Sequence, residues 1–168
     1  FDNCCGLELG AGVGLCSIVL GRVAARVFCT DFGEDILRNC QNNAQINAHL
    51  CKNSRGNGSV VKVRKLDWTK GMSEVIYEDH LTDALFKQIS YLIQRNVKAV
   101  FYLSIEKRIN FTLDDLDVAC PAYDHFIQTI ETLQSDKILQ VRRIPAVFAQ
   151  YFDYERVKEL ELWEMKTS

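Results

Sequence analysis

Apolar residues fall in short alternating runs separated by longer stretches where they recur every three or four positions. This is the pattern of strands alternating with helices. A short apolar strand through Leu7-Glu8-Leu9 runs into a glycine turn, and a helix opens near Gly14 and reads from Leu15 to Arg22. Arg26 to Thr30 (Arg-Val-Phe-Cys-Thr) is a β-branched and aromatic strand closing on Asp31. Glu34 to Leu50 carries Ile36, Leu37, Cys40, Ala44, Ile46 and Leu50 at helical spacing, with Gly33 before it. Glu34 and Asp35 fall in its first turn, where acidic side chains complement the helix dipole. Its Asn/Gln-rich middle is expected on the solvated face. Lys52 to Ser59 has no apolar residue and two glycines, so an exposed loop is expected there. Val60 to Leu66 then alternates as a third strand and ends at Asp67-Trp68.

The alternation persists beyond an unpatterned stretch. Leu81, Leu85, Ile89 and Leu92 make a helical stripe over Leu81 to Arg95, and Ala99 to Ile105 is a strand rich in aromatic and β-branched residues. Asp114 to Leu133 contains a further helix, with Pro121 near its start and Tyr123, Phe126, Ile127 and Ile130 on one side. Ile138 to Ile144 and Leu160 to Met165 read as the last two strands, separated by Pro145 and an aromatic stretch through Tyr151, Phe152 and Tyr154. The expected class is α/β. At 168 residues, 48% apolar and 25% charged, the whole chain, 1–168, is expected to form a single domain.

Charge removes some partners from consideration. A net charge of −2 and a pI near 5.9 give no general attraction to nucleic acid or anionic membrane, so no direct nucleic-acid binding is expected. The uncharged stretch Leu9 to Gly21 is too short to span a bilayer and is expected to be core. Seven cysteines, Cys4, Cys5, Cys16, Cys29, Cys40, Cys51 and Cys120, are odd in number and form no Cys-x-x-Cys pair. They read as reduced core residues, which places the chain inside the cell, in the nucleus or cytoplasm. His49, His80 and His125 lack ligand spacing, and no metal is expected. Phe1-Asp2-Asn3 lacks the positive region of a secretory signal and does not begin with Met, so a start inside a larger protein is expected. A monomer is expected.

The candidate chemistry lies in the glycine turn. In Glu8-Leu9-Gly10-Ala11-Gly12-Val13-Gly14-Leu15 an apolar strand carries an acidic residue, and glycines recur at every second position, where backbone turns tightly and approaches a ligand. Free N–H groups at the helix start favour electron-rich ligand atoms. Asp31 lies where a carboxylate accepts hydrogen bonds from ribose hydroxyls. A dinucleotide fingerprint needs its third glycine where Leu15 stands, so that reading fails by one position. Gly-x-Gly-x-Gly after an acidic residue fits the pattern of S-adenosylmethionine-dependent methyltransferases, in which the residue at the Glu8 position helps hold the methionine moiety. The plain alternative is a tight turn in an α/β core. Asp67 falls at a third strand end, where it can accept from an exocyclic amine, and the Trp68 ring can cover an apolar face. Glu74-Val75-Ile76-Tyr77 sets an acidic residue three before an aromatic hydroxyl.

These stretches together resemble the family 16 methyltransferases, most of whose characterised members methylate lysines of proteins. Further likeness lies in Leu81-Thr82-Asp83-Ala84-Leu85-Phe86, Ser104-Ile105-Glu106-Lys107-Arg108-Ile109-Asn110-Phe111-Thr112-Leu113, Tyr123-Asp124-His125-Phe126 and Leu160-Glu161-Leu162-Trp163. The resemblance implies a Rossmann-like, seven-stranded fold that binds S-adenosylmethionine through Glu8, Gly10, Gly12, Gly14, Asp31, Asp67 and Trp68. It also implies that Glu74 and Tyr77 lie beside the acceptor-lysine channel, and that the partner is a protein presenting a lysine. Such chemistry needs in-line positioning of a neutral amine and no metal. Apart from the resemblance, Glu106-Lys107-Arg108 is an ordinary solvated charge run and Tyr123 and Phe126 are core aromatics. Trp163 reads as an anchor of the last strand, and Lys62, Arg64 and Lys65 belong to the wet side of theirs.

Two departures from the family pattern bear on activity. Only five residues, Thr69 to Ser73, separate Trp68 from Glu74, whereas a parallel crossover needs about a dozen or more. The fourth strand and the helix before it are therefore expected to be absent or shortened. The first strand would then pair directly with Ala99 to Ile105 or leave a gap at the sheet's centre. The chain also starts just before its first strand, so the family's N-terminal helices are missing from the expected fold. A partial gene product, a splice form or loss of activity would each account for this. The competing functional readings are thus a methyltransferase and a non-catalytic binding module that keeps the fold. A nicotinamide oxidoreductase is disfavoured by Leu15.

Overall fold

The computed structural model describes residues 4–51, 60–67, 78–107, 110–112, 117–150, 153, 155 and 157–168, with backbone alone at 78, 79, 110–112 and 117–119. The expected loop at Lys52 to Ser59, the aromatics Tyr151, Phe152 and Tyr154, and Arg108 lie outside the described residues. The chain divides into two compact units, Phe1–Asp67 and Trp68–Ser168.

The first unit is β-α-β-α-β. Strands β1 (Cys5–Leu9), β2 (Arg26–Asp31) and β3 (Val61–Lys65) form a parallel sheet in the order β1-β2-β3. The register sets Glu8 opposite Cys29 and Asp31 opposite Lys65. Because all three strands run the same way, their carboxyl ends lie along one edge, where open parallel sheets bind ligands. Helix α1 (Leu15–Leu20) is shorter than the periodicity predicts. It gives way at Gly21 to tighter backbone bonds, Arg22 N–H to Val19 O and Val23 N–H to Leu20 O. Helix α2 (Glu34–Ile46) likewise stops before Leu50. Asn47 turns its amide back to the Asn43 carbonyl, and Ala48–Leu50 becomes a 3-10 turn closed by Leu50 N–H on Asn47 O. The core beneath is made of small residues, Ala11, Ala24, Val27, Cys29, Cys40, Ala44 and Val61 among them. Close helix-to-sheet contact follows from their size.

The second unit is built on a sheet of order β4-β8-β7, from β4 (Val100–Glu106), β7 (Leu139–Ile144) and β8 (Leu160–Thr167), with β8 antiparallel to both neighbours. Helices α3 (Glu78–Arg95) and α4 (Pro121–Ser135) pack with it around Phe86, Ile89, Ile93, Phe126, Ile130, Leu139 and Met165. The Phe126 ring meets Phe86 at 5.6 Å and the edge of Trp163 at 5.8 Å, so the aromatic core reading holds for Phe126. Tyr123 sits at the rim. Its hydroxyl donates to the buried Glu161 carboxylate at 2.9 Å, which also receives the Trp163 indole N–H and an Arg143 guanidinium. Trp163 is thereby anchored at both its ring and its nitrogen. Between the same two strands, β7 and β8, Arg142 grips Glu164 with two bonds of 2.7 and 3.0 Å and holds that carboxyl below its usual range.

One hairpin was not expected from the periodicity. Strands β5 (Asn110–Thr112) and β6 (Asp117–Ala119) pair antiparallel, with Phe111 opposite Val118. Asp117–Ala119 falls inside the span where the sequence predicts a helix, which begins only at Pro121. Three residues are too few to display a strand period, so pairing rather than pattern makes these strands.

The cysteines correct one expectation. Cys29, Cys40 and Cys120 are buried and Cys4 and Cys51 half-buried, but Cys5 and Cys16 are exposed and do not belong to the core. Cys5 takes the outer position in the alternation of β1, and Cys16 lies on the outer side of α1. None of the seven forms a disulfide among the described residues. Although the residue as a whole is exposed, partial burial of its thiol, and secondarily the Glu8 charge, pushes the Cys16 thiol up, so it stays protonated. Titration of the denatured, unreduced protein with a thiol reagent is expected to count seven thiols. A lower count after purification from an intracellular source would overturn the reduced-cysteine reading.

Candidate functional site

The glycine turn opens where β1 ends. Gly10, Gly12 and Gly14 all take left-handed backbone, at φ 68, 55 and 80°. L-residues with a Cβ avoid that region, so the alternate spacing of the glycines has a direct conformational cause. A Cβ built on Gly10 or Gly12 meets no heavy atom within 4 Å, whereas one on Gly14 touches the sulfurs of Cys29 and Cys40 at 3.4 and 3.5 Å. The first two glycines thus border open space and the third closes on the core.

Asp31, at the end of β2, fastens the turn. Its Oδ2 accepts the Gly12 N–H at 2.9 Å and its Oδ1 accepts the N–H of Phe32 at 2.7 Å. A carboxylate has about four lone-pair sites, so these two bonds leave acceptor capacity on the same half-buried group. The Ala11 N–H is taken by the Thr30 carbonyl at 2.9 Å, and the Ala11 carbonyl receives the Gly14 N–H at 2.8 Å. The turn is held closed from the β2 side.

Glu8 is placed differently from the simplest expectation. Its Oε2 accepts both the backbone N–H of Ser17 at 2.9 Å and the Ser17 hydroxyl at 2.5 Å. Ser17 is wholly buried in the first turn of α1. Glu8 therefore binds the start of that helix to the strand, filling an orphan N–H that the missing side-chain cap leaves open. Thr30 adds a bond from its hydroxyl to the Glu8 carbonyl at 2.6 Å.

Three more side chains shape this edge; the periodicity places one of them, Cys40, in the apolar stripe of its helix and does not single out the other two. On α2, the Cys40 thiol donates to the Gly12 carbonyl at 2.8 Å and the Asn43 amide donates to the Val13 carbonyl at 2.9 Å. Asn43, read from sequence as part of a solvated face, is half-buried against the turn. Ser17 is the third. The signal of Ser17 and Asn43 in the sequence is weak: they are polar residues beside apolar ones, at helix positions that could as well face water. Beyond Asp31, Leu66 donates its N–H to the Asp31 carbonyl at 2.9 Å, bringing the end of β3 and half-buried Asp67 to the same edge. Lys65 pairs with Glu34 and stands 5.3 Å from the Phe32 ring centre. The structure thus gathers Gly10, Gly12, Gly14, Asp31 and Asp67 at one sheet edge, with Glu8 one step inside. Trp68, Glu74 and Tyr77 lie outside the described residues. Among the described residues no group of three or more His, Cys, Asp or Glu side chains is placed to hold a metal, and no helix is long and apolar enough to cross a membrane.

Known proteins share this chain's family and fold. Residues 1–132 match the model of a family described as lysine methyltransferase. Methyltransferase-like protein 22 from Homo sapiens is 40% identical over 198 residues, covering 98% of this chain and 48% of that protein, and its Mus musculus counterpart is 40% identical, covering 98% and 50%. The chain thus spans about half the length of these curated relatives. The alignment of 198 positions exceeds the 168 residues of the chain, so at least 30 of those positions (198 − 168) face gaps in it. Among solved structures, the magnesium protoporphyrin IX methyltransferase of Synechocystis PCC 6803 with bound SAH shares the fold at TM-score 0.62 and 18% identity, covering 99% of this chain and 75% of that one. A ribosomal protein L11 methylase from Lactobacillus delbrueckii subsp. bulgaricus does so at TM-score 0.59 and 14% identity, covering 99% and 72%. The α/β methyltransferase fold expected from the glycine turn is therefore shown.

Proposed function

This chain belongs to the lysine methyltransferase family, and on that premise we propose that it is an S-adenosylmethionine-dependent protein-lysine N-methyltransferase whose substrate is a protein presenting a lysine. The observation that carries the reading is the pinned glycine turn: three left-handed glycines, two bordering open space, joined to a carboxylate with acceptor capacity left. This donor set fits the cofactor. The open side of Gly10 and Gly12 admits close approach of a ligand, and Asp31 offers acceptors to a ribose diol. We assign Glu8, Gly10, Gly12, Gly14, Asp31, Asp67 and Trp68 to cofactor binding, with Glu8 acting through Ser17 on the helix start. By family resemblance Glu74 and Tyr77 hold the acceptor amine.

S-adenosylmethionine, when bound, supplies a methyl group already activated on a sulfonium. The protein's own task is then geometric and electrostatic. Asp31 and the glycine backbone fix one reactant, and an acidic and a phenolic side chain orient the incoming amine, so that transfer gains from alignment. The family model runs across the boundary at Asp67, which supports reading the two units as one functional domain over 1–168. We further propose a monomer that acts inside the cell, in the nucleus or cytoplasm, without membrane insertion or direct nucleic-acid binding. The reduced cysteines and near-neutral charge support that placement.

The test has two stages. Calorimetry with S-adenosylhomocysteine is expected to show one site per chain. Incubation of a cell extract with labelled S-adenosylmethionine and this chain is expected to label protein lysines. Binding without any labelling would favour the non-catalytic module, and binding of a nicotinamide dinucleotide in place of S-adenosylhomocysteine would overturn the cofactor assignment.

A further inference from the structure

The glycine turn has little intrinsic shape. A stretch with three left-handed glycines is neither helix nor strand, and glycine peptides rotate at low cost, so its form depends on what its neighbours hold. Asp31 takes the N–H of Gly12 from the β2 side. From the opposite side, Cys40 holds the carbonyl of the same Gly12 and Asn43 holds the next carbonyl, Val13. Positions 40 and 43 are one turn apart and share a face of α2. Gly12 is thus gripped on both its polar groups, from two different elements, so the two peptide planes that flank its Cα are each held.

We propose that Asn43 and Cys40 are positioning residues for the cofactor, fixing the glycine turn from α2 so that its open side keeps the binding-competent form. This rests on the reading of the turn as the S-adenosylmethionine site. Without these donors the Gly12 and Val13 carbonyls turn toward water and the competent form becomes a fraction of the population, and apparent affinity falls by that fraction. Cys40 suits the task because it remains a donor. Burial, with Cys29 beside it, pushes its thiol up to about 12, so it is protonated throughout the ordinary pH range.

Binding of S-adenosylhomocysteine by calorimetry, paired with ligand-free thermal melting, tests this. Asn43→Ala is expected to weaken binding about tenfold, as a competent fraction near one tenth requires. Asn43→Asp, close in size but without the amide donor, is expected to do the same, and gives a second reading should the alanine variant fail to fold. Cys40→Ala should weaken binding likewise, while Cys40→Ser, which keeps a donor, should restore most of the affinity. Ligand-free melting of Asn43→Ala is expected to stay close to that of the parent chain. Loss of melting temperature with affinity unchanged would reduce both residues to ordinary packing and overturn the inference. Parent chain and variants binding with equal affinity would overturn it too, leaving the cofactor reading intact, whereas a parent chain that does not bind S-adenosylhomocysteine would remove both.

Discussion

Asp31→Ala is expected to weaken S-adenosylhomocysteine binding by about 1–3 kcal/mol, the cost of one or two hydrogen bonds lost to a neutral ligand. That corresponds to roughly 5- to 150-fold in Kd. The structure moves the expectation toward the upper end. The carboxylate proposed to meet the ribose diol also accepts the N–H groups of Gly12 and Phe32, so its removal would take away ligand acceptors and release the turn together. Asp31→Asn separates the two effects. It keeps one acceptor oxygen, and its loss should fall between those of the parent and the alanine variant. Equal affinity in the parent and Asp31→Ala, measured by calorimetry, would remove Asp31 from the site.

A chain with a full-length connection between Trp68 and Glu74 is expected to methylate the same extract on the order of 100-fold faster. A misplacement of about 1 Å costs a factor of that size. Five residues between Trp68 and Glu74 cannot carry a crossover helix and the strand that follows, and at least 30 aligned positions of the human relative have no counterpart here. The corresponding stretches of that relative are the natural donors for the longer chain. Thermal melting is expected to rise alongside activity, because a longer connection can pair a sheet edge that otherwise exposes its backbone. Equal rates from the two chains, measured with labelled S-adenosylmethionine, would show the omitted elements to be dispensable.

Much of the fold and part of the site were legible in the residues themselves. Arg26 to Thr30, Val60 to Leu66 and Ala99 to Ile105 declare strands, and Leu81 to Arg95 a helix, because burial of one face imposes its own period on neighbouring residues. Gly10, Gly12 and Gly14 mark a left-handed turn for an equally local reason, the absence of a Cβ. Glu8 and Asp31 stand out because a carboxylate at a strand end is unusual without a use. What the sequence could not tell was where these groups would find partners. Asp31 meets Gly12 from 19 residues away, Asn43 meets Val13 from 30, and Tyr123 meets Glu161 from 38. Glu8, legible as an acidic residue of the glycine turn, turns out to bind Ser17, and Asn43, in an Asn/Gln-rich stretch, reaches inward to the turn. The hairpin of Asn110–Thr112 and Asp117–Ala119 exists only because the two segments pair. Periodicity and backbone preference act over a few residues and are written in the chain. Hydrogen bonds between distant residues depend on how the sheet register and the helix return bring them together, and only the tertiary structure decides that.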